Sequence, residues 1–192
     1  MKDRIESAIR ETIRLHEELG EQAALVTEIG ERLAGVLAAG GRIYVMGNGG
    51  SAADSQHLAC ELVGRFLIDG RRALPCQAFT TDTSVLTAVG NDFGMDEVFL
   101  RQVEAFVEAG DAVIGISTSG GSDNVNVAID RARELGATTV GLCGGDGGDL
   151  ARKCDISLTV AADTSPRVQE VHATLIHILC DLIESKLAGQ TD

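Results

Sequence analysis

Five short runs of apolar, strand-forming residues recur after residue 40, each separated from the next by a segment with helical character. They are Arg42 to Met46, Cys76 to Phe79, Ala112 to Ile116, Thr138 to Leu142 and Ile156 to Val160. This alternation indicates a parallel sheet covered by helices on both faces, an α/β fold. In open sheets of this kind, ligands sit beyond the carboxyl ends of the strands, near the point where strand order reverses. The segments to inspect are therefore Gly47 to Ser51, Thr80 to Thr83, Ser117 to Ser122, Gly144 to Asp149 and Ala161 to Pro166.

Ahead of the first strand, apolar residues recur at helical spacing (Ile5, Ile9, Ile13, then Leu25, Ile29, Leu33, Val36 and Leu37), with Gly20 the expected break between two helices. An amphipathic stripe here packs on the domain or on another copy of the chain, and the second choice implies a homo-oligomer. The last helix is expected to open at Pro166, a favoured first-turn residue, and to run to about Leu187. No linker-like composition divides the 192 residues. One domain is expected over 1–192, with a helical segment at 1–39 and an α/β core at 40–192.

The formal net charge is −13, and no basic stripe is visible, which excludes nucleic acid as a direct partner and makes any anion site a local one. The five cysteines form no C-x-x-C pair and no even framework, so they read as reduced thiols of a cytosolic protein without disulfides. The first residues lack an apolar targeting segment, and no uncharged run reaches membrane-spanning length. The expected location is the cytoplasm, away from any membrane.

The richest stretch runs from Tyr44 to Glu61. A strand ends at Met46, and Gly47, Gly49 and Gly50 let the backbone reverse and a ligand approach, with Asn48 among them and Ser51 placed to cap the helix that follows. The N-terminus of that helix offers an anion, phosphate first, its N–H groups and the positive end of the helix dipole. The spacing is neither G-x-G-x-x-G nor a G-K-[ST] ending, so this is not a nucleotide fingerprint. Further in, His57 and Glu61 stand four residues apart on one helical face, where a histidine and a carboxylate can share a ligand.

The third strand ends in Ser117-Thr118-Ser119-Gly120-Gly121-Ser122, four hydroxyls and two glycines before a helix expected near Asp123. One such serine is an ordinary cap, whereas four at a strand end, opposite the Asn48–Ser51 loop, make an anion site that needs no lysine. The final helix carries Gln169, His172 and His177 on an otherwise apolar surface. His172 and His177 point to different sides, so at most one of them shares a site with Gln169. Gln169 and His177 are themselves eight residues apart, roughly 12 Å along a helix, an awkward span for two ligands of one ion. The Gly144–Asp149 run matches the opening of a calcium-binding β-roll repeat, but as a single copy it reads as a turn before a short helix. Asn91-Asp92-Phe93-Gly94 reads as a polar loop.

Four motifs in order, G-N-G-G-S-A-A-D-S-Q-H-x-x-x-E-L-x-G-R-F, T-T-D-T-S-V-L-T-A-x-G-N-D-F-G, I-S-T-S-G-x-S and R-V-Q-E-x-H-x-x-x-I-H, resemble the sugar isomerase (SIS) domain family, and within it the phosphoheptose isomerases. The resemblance spans nearly the whole chain. It implies a three-layer α/β/α sandwich with a five-stranded parallel, flavodoxin-like sheet preceded by N-terminal helices. It also implies a homotetramer with active sites at subunit contacts, and one zinc ion per subunit. The implied reaction converts D-sedoheptulose 7-phosphate to D-glycero-D-manno-heptose 7-phosphate, the first step toward nucleotide-activated heptose. Carried over residue by residue, the resemblance gives zinc to His57, Glu61, Gln169 and His177, and acid/base work to Glu61 and His177. Substrate contacts fall to Asn48, Gly49, Gly50, Ser51, Glu61, Asn91, Asp92, Ser117, Thr118, Ser119, Ser122 and Gln169. Pro166 departs from the small or acidic residue that relatives usually carry before the Arg-x-Gln-Glu run. Two other classes compete: a non-catalytic adaptor like the relatives that bind the bacterial replication initiator, and a regulatory domain that senses a sugar phosphate. Such adaptors characteristically lack the residues found here as Glu61 and His177.

Overall fold

The computed structural model describes residues 1–188. Its five strands are β1 (Ile43–Gly47), β2 (Cys76–Ala78), β3 (Ala112–Ser117), β4 (Thr138–Gly144) and β5 (Ile156–Val160), in the order β2-β1-β3-β4-β5. All four pairings are parallel. The helices are α1 (Lys2–Glu21), α2 (Ala23–Ala38), α3 (Gly50–Val63), α4 (Thr83–Asp92), α5 (Leu100–Phe106), α6 (Asp123–Glu134), α7 (Gly148–Lys153) and α8 (Ser165–Ala188). The architecture is the expected α/β/α sandwich with a five-stranded parallel sheet behind N-terminal helices.

Alternation along the strands sorts side chains into two cores. Ile43, Val45, Ile114, Ile116, Val140, Leu142 and Leu158 pack with α1, α2, α3 and α8, while Tyr44, Met46, Val113 and Cys143 pack with α5, α6 and α7. Because both faces are covered, every residue of β1 and β3 is buried. Each fully buried aliphatic side chain contributes about 1.5–3 kcal/mol.

Element ends differ modestly from the sequence reading. β1 and β4 each extend to a glycine, Gly47 and Gly144, and β2 stops at Ala78 although the Phe79 N–H still donates to the Val45 carbonyl at 2.9 Å. The break between α1 and α2 falls at Gln22 rather than Gly20, because the Gln22 N–H closes a tight turn onto the Leu19 carbonyl (3.0 Å) while Gly20 stays helical. α1 is tied to α8 mostly by polar bonds. Thr12 donates to Glu170 (2.6 Å), Arg167 donates to the Ala8 carbonyl (2.9 Å), and His16 pairs with Thr174 (2.8 Å), with Leu15 and Leu19 buried. The Ile5, Ile9 and Ile13 row faces outward instead. Among the described residues no helix is long and apolar enough to cross a membrane.

From β1 the chain crosses to β2 on one side and then returns to β3 on the other. The loops after β1 and β3 therefore diverge, leaving a crevice at their carboxyl ends.

Candidate active site

The turn leaving β1 is built by glycines for steric reasons. A Cβ on Gly47 would lie 2.8 Å from the Ser51 Cβ and 2.9 Å from the Ile116 carbonyl oxygen, and Gly49, at φ +57°, occupies the cap of α3. Ser51 does not cap the helix as its position suggested. It is buried inside the first turn with its N–H on the Asn48 carbonyl (3.0 Å), because the backbone reversal puts the cap at Gly49 and starts the helix two residues earlier. Asn48 and Asn124 exchange two amide hydrogen bonds, at 2.8 and 3.0 Å, and so bridge the two loops across the crevice.

The hydroxyl loop after β3 is held from two sides. Ser117 and Ser122 pair at 2.9 Å, Thr118 pairs with Ser165 at the start of α8 (2.9 Å), and Ser119 accepts the Gly121 N–H (3.2 Å). Behind it lies the Gly144–Asp149 run, whose glycines are explained by packing. Gly120 (φ +64°) abuts the Gly147 carbonyl, a Cβ on Gly148 would lie 2.6 Å from the Ser119 carbonyl oxygen, and one on Gly144 would lie 2.6 Å from Val168. The Leu150 N–H and the Asn126 amide both donate to the Gly120 carbonyl, at 2.9 and 3.2 Å. This run supports the serine loop, and among the described residues the one cluster of three metal-ligating side chains lies elsewhere.

That cluster is His57, Glu61 and His177, whose donor atoms all lie within 4.8 Å of one another in one chain. The two imidazoles meet Nε2 to Nε2 at 3.0 Å, and His57 Nε2 stands 3.4 Å from Glu61 Oε1. Tetrahedral zinc with bonds of about 2.0–2.1 Å separates its nitrogen ligands by roughly 3.3 Å, so the His57–His177 and His57–Glu61 pairs stand near that spacing. The set of two imidazoles and one carboxylate also suits the ion chemically. Phe66 stacks on His177 with ring centroids 5.6 Å apart, fixing one face of the imidazole.

α3 and α8 run side by side in the same direction, which is why His177 meets His57 on one turn while Gln169 meets Gly50 two turns earlier. The Gln169 amide lies over Gly50, where a Cβ would come within 2.6 Å of its oxygen. His172 faces inward, wholly buried, with Nε2–H donating to the Cys143 carbonyl (3.1 Å), and burial lowers its pKa to about 4. Asn91 and Asp92 lie in the last turn of α4, not in a loop; Asp92 accepts from the Asn91 amide at 2.7 Å. The Asp82 carboxylate caps that helix through the Val85 N–H (3.0 Å), which lets the preceding T-T-D-T run start a helix. The five cysteines are free, and burial pushes the Cys143 and Cys180 thiols up to about 12.

Three features escaped the sequence. Asn124 carried no signal beyond its place in the helix after the serine loop. Phe66 was part of a motif without a role. Glu184 was detectable in principle, because it falls on the buried register of Ile176, Cys180 and Ile183. Its side chain is fully buried against Arg71 at 2.5 Å.

A family profile for the SIS domain matches residues 9–144. The chain is 51% identical over 191 residues to a phosphoheptose isomerase of Geotalea daltonii, covering 99% of each. The chain belongs to the phosphoheptose isomerase family of SIS-domain proteins. Two solved structures of the family agree with the fold. A phosphoheptose isomerase from Neisseria gonorrhoeae superposes with a TM-score of 0.89 at 41% identity over 96% of this chain and 98% of that one. One from Francisella tularensis gives 0.92 at 33% identity over 95% and 97%. The chain is thus a sugar-phosphate isomerase, with the serine loop at the end of β3 and the His57–Glu61–His177 cluster on α3 and α8.

Proposed function

We propose that the chain converts D-sedoheptulose 7-phosphate to D-glycero-D-manno-heptose 7-phosphate at the crevice between the β1 and β3 loops. The observation that carries this reading is the convergence of His57, Glu61 and His177 at one end of α3 while hydroxyls and backbone N–H groups line the other. Glu61 takes the proton from C1 of the ketose, the electron pair forms the C1–C2 double bond, and His177 protonates the former carbonyl oxygen to give the enediol. His177 then accepts the O1 proton as Glu61 returns a proton to C2, leaving the aldose. Zinc bound by His57, Glu61 and His177 would supply Lewis acidity for the carbonyl. Gln169, whose amide lies over Gly50 within one chain, would complete that ligand set by leaning toward it, through a bent helix or from a neighbouring subunit, and it also serves the substrate. Ser51, Ser117, Thr118, Ser119 and Ser122 bind the phosphate and sugar with Asn48, Gly49 and Gly50, and Asn91 and Asp92, in the last turn of α4, are assigned to the substrate as well. Anion binding by hydroxyls and helix N-termini lets a chain of net charge −13 accept a sugar phosphate.

The assembly we infer is a homotetramer acting in the cytoplasm, with active sites at subunit contacts and one zinc ion per subunit. The adaptor and sensor readings leave Glu61 and His177 without a task. The test is turnover of sedoheptulose 7-phosphate by protein treated with chelator, then given back zinc, alongside Glu61→Gln and His177→Gln. Loss on chelation, recovery with zinc and a drop of at least about 100-fold in each variant support the assignment. Full activity in either variant overturns its acid/base role.

A further inference from the structure

One buried ion pair lies outside everything assigned above. Glu184, on α8 two turns beyond His177, accepts the backbone N–H groups of Phe66 (3.1 Å), Leu67 (2.6 Å) and Ile68 (2.7 Å) as well as the Arg71 guanidinium. Arg71 donates in turn to the carbonyls of Glu61 (2.6 Å), Leu62 (2.8 Å) and Arg72 (2.9 Å). Two of those carbonyls belong to the last turn of α3, which has no intrahelical donor left for them. The result is a closed circuit. α8 grips the loop after α3 by its N–H groups, and Arg71 grips the end of α3 by its carbonyls. The circuit contains the residue whose ring stacks on His177, Phe66, and the residue that faces His57, Glu61.

A core of this size does not need such a pair for stability, since buried ion pairs are commonly no better than apolar residues of the same volume. What the pair provides is direction: four donors fix one carboxylate, and one guanidinium fixes three carbonyls. We propose that Arg71 and Glu184 are positioning residues of the isomerase site, holding Phe66 and Glu61 against His177 and thereby setting how tightly the His57–Glu61–His177 cluster takes a divalent cation. The inference rests on the functional reading above for the use of that cluster, but not for its geometry.

The test compares wild type with Arg71→Lys, Glu184→Gln and Phe66→Leu. Lysine keeps the charge but lacks the planar fork that reaches Glu184 and three carbonyls together. Phe66→Leu leaves the pair intact and removes only the stack. Three readouts are taken: zinc affinity by competition with a chromophoric chelator, the His177 imidazole C–H resonances of metal-free protein, and kcat against KM. Folded Arg71→Lys and Glu184→Gln are expected to lose about 10–100-fold in zinc affinity. Their His177 resonances are expected to move in the direction seen for Phe66→Leu, as the ring current is lost, with kcat falling more than KM rises. Wild-type zinc affinity together with unmoved His177 resonances in Arg71→Lys overturns the proposal. Should both pair variants fail to fold, Phe66→Leu decides: unchanged zinc affinity overturns it, a weakened one supports it. A wild type that binds zinc in an Arg71-dependent way, yet turns over no sugar phosphate, supports the positioning role while sinking the isomerase reading.

Discussion

Gly50 and Gly120 look alike in the sequence, and their surroundings set opposite expectations for replacing them. At Gly50 an added Cβ meets the flexible amide of Gln169, which can move aside, so Gly50→Ala is expected to keep its melting temperature and lose activity by displacing that amide. At Gly120 the obstruction is the Gly147 carbonyl and the φ is +64°, so Gly120→Ala is expected to cost at least about 2 kcal/mol, read as a lowered urea midpoint. A Gly50→Ala enzyme with full kcat and KM would contradict the first expectation. His172 gives a pH signature. Its folded pKa lies near 4, below the ordinary 6.5, so the contribution is complete above about pH 6.5 and is lost as pH falls toward 4, about 3 kcal/mol in all. Glu184, held near 2 by Arg71 and three backbone N–H groups against its burial, adds a separate loss only below about pH 4.5. Urea midpoints between pH 7 and 4 are expected to fall in wild type and to flatten in His172→Gln. At this scale the sequence was readable where chemistry and spacing coincide, as for His57 and Glu61. It was unreadable for Asn124 and Arg71, whose roles depend on partners 76 and 113 residues away.

Among the elements, the strands were legible because each is a short apolar run bounded by turn residues, and their ends were off by one or two positions where a glycine prolongs the strand. α4 was not legible, since T-T-D-T reads as a turn and Asn91-Asp92-Phe93-Gly94 as a loop until Asp82 is seen to hold the Val85 N–H. α1 is the instructive case. Its isoleucine row marks a helix correctly, yet the row faces outward while Thr12, His16 and Leu15 make the contact with the rest of the chain. The proposed tetramer gives the exposed stripe of Ile5, Ile9 and Ile13 a second copy to pack on. Ile9→Glu is expected to shift the assembly toward smaller species in sedimentation velocity, with the stability of each folded chain changed by less than about 0.5 kcal/mol. An unchanged sedimentation coefficient would remove α1 from the interface.

For the whole molecule, strand order decides where chemistry happens. The strand order reverses at β1, and the two loops that diverge there carry Asn48 and the serine run, while α3 and α8, leaving β1 and β5 in the same direction, carry the two halves of the histidine cluster. The sequence indicated a parallel sheet, but not which strand ends are neighbours, and so not that Gln169 and His177 address different turns of α3. In the proposed function, that separation gives the phosphate and the cation opposite ends of α3. The account stands or falls on the reaction itself. Purified protein with zinc, given sedoheptulose 7-phosphate and followed by NMR, is predicted to produce an aldoheptose 7-phosphate until the ketose and aldose reach equilibrium; a ketose spectrum that stays unchanged with every divalent metal supplied would contradict it.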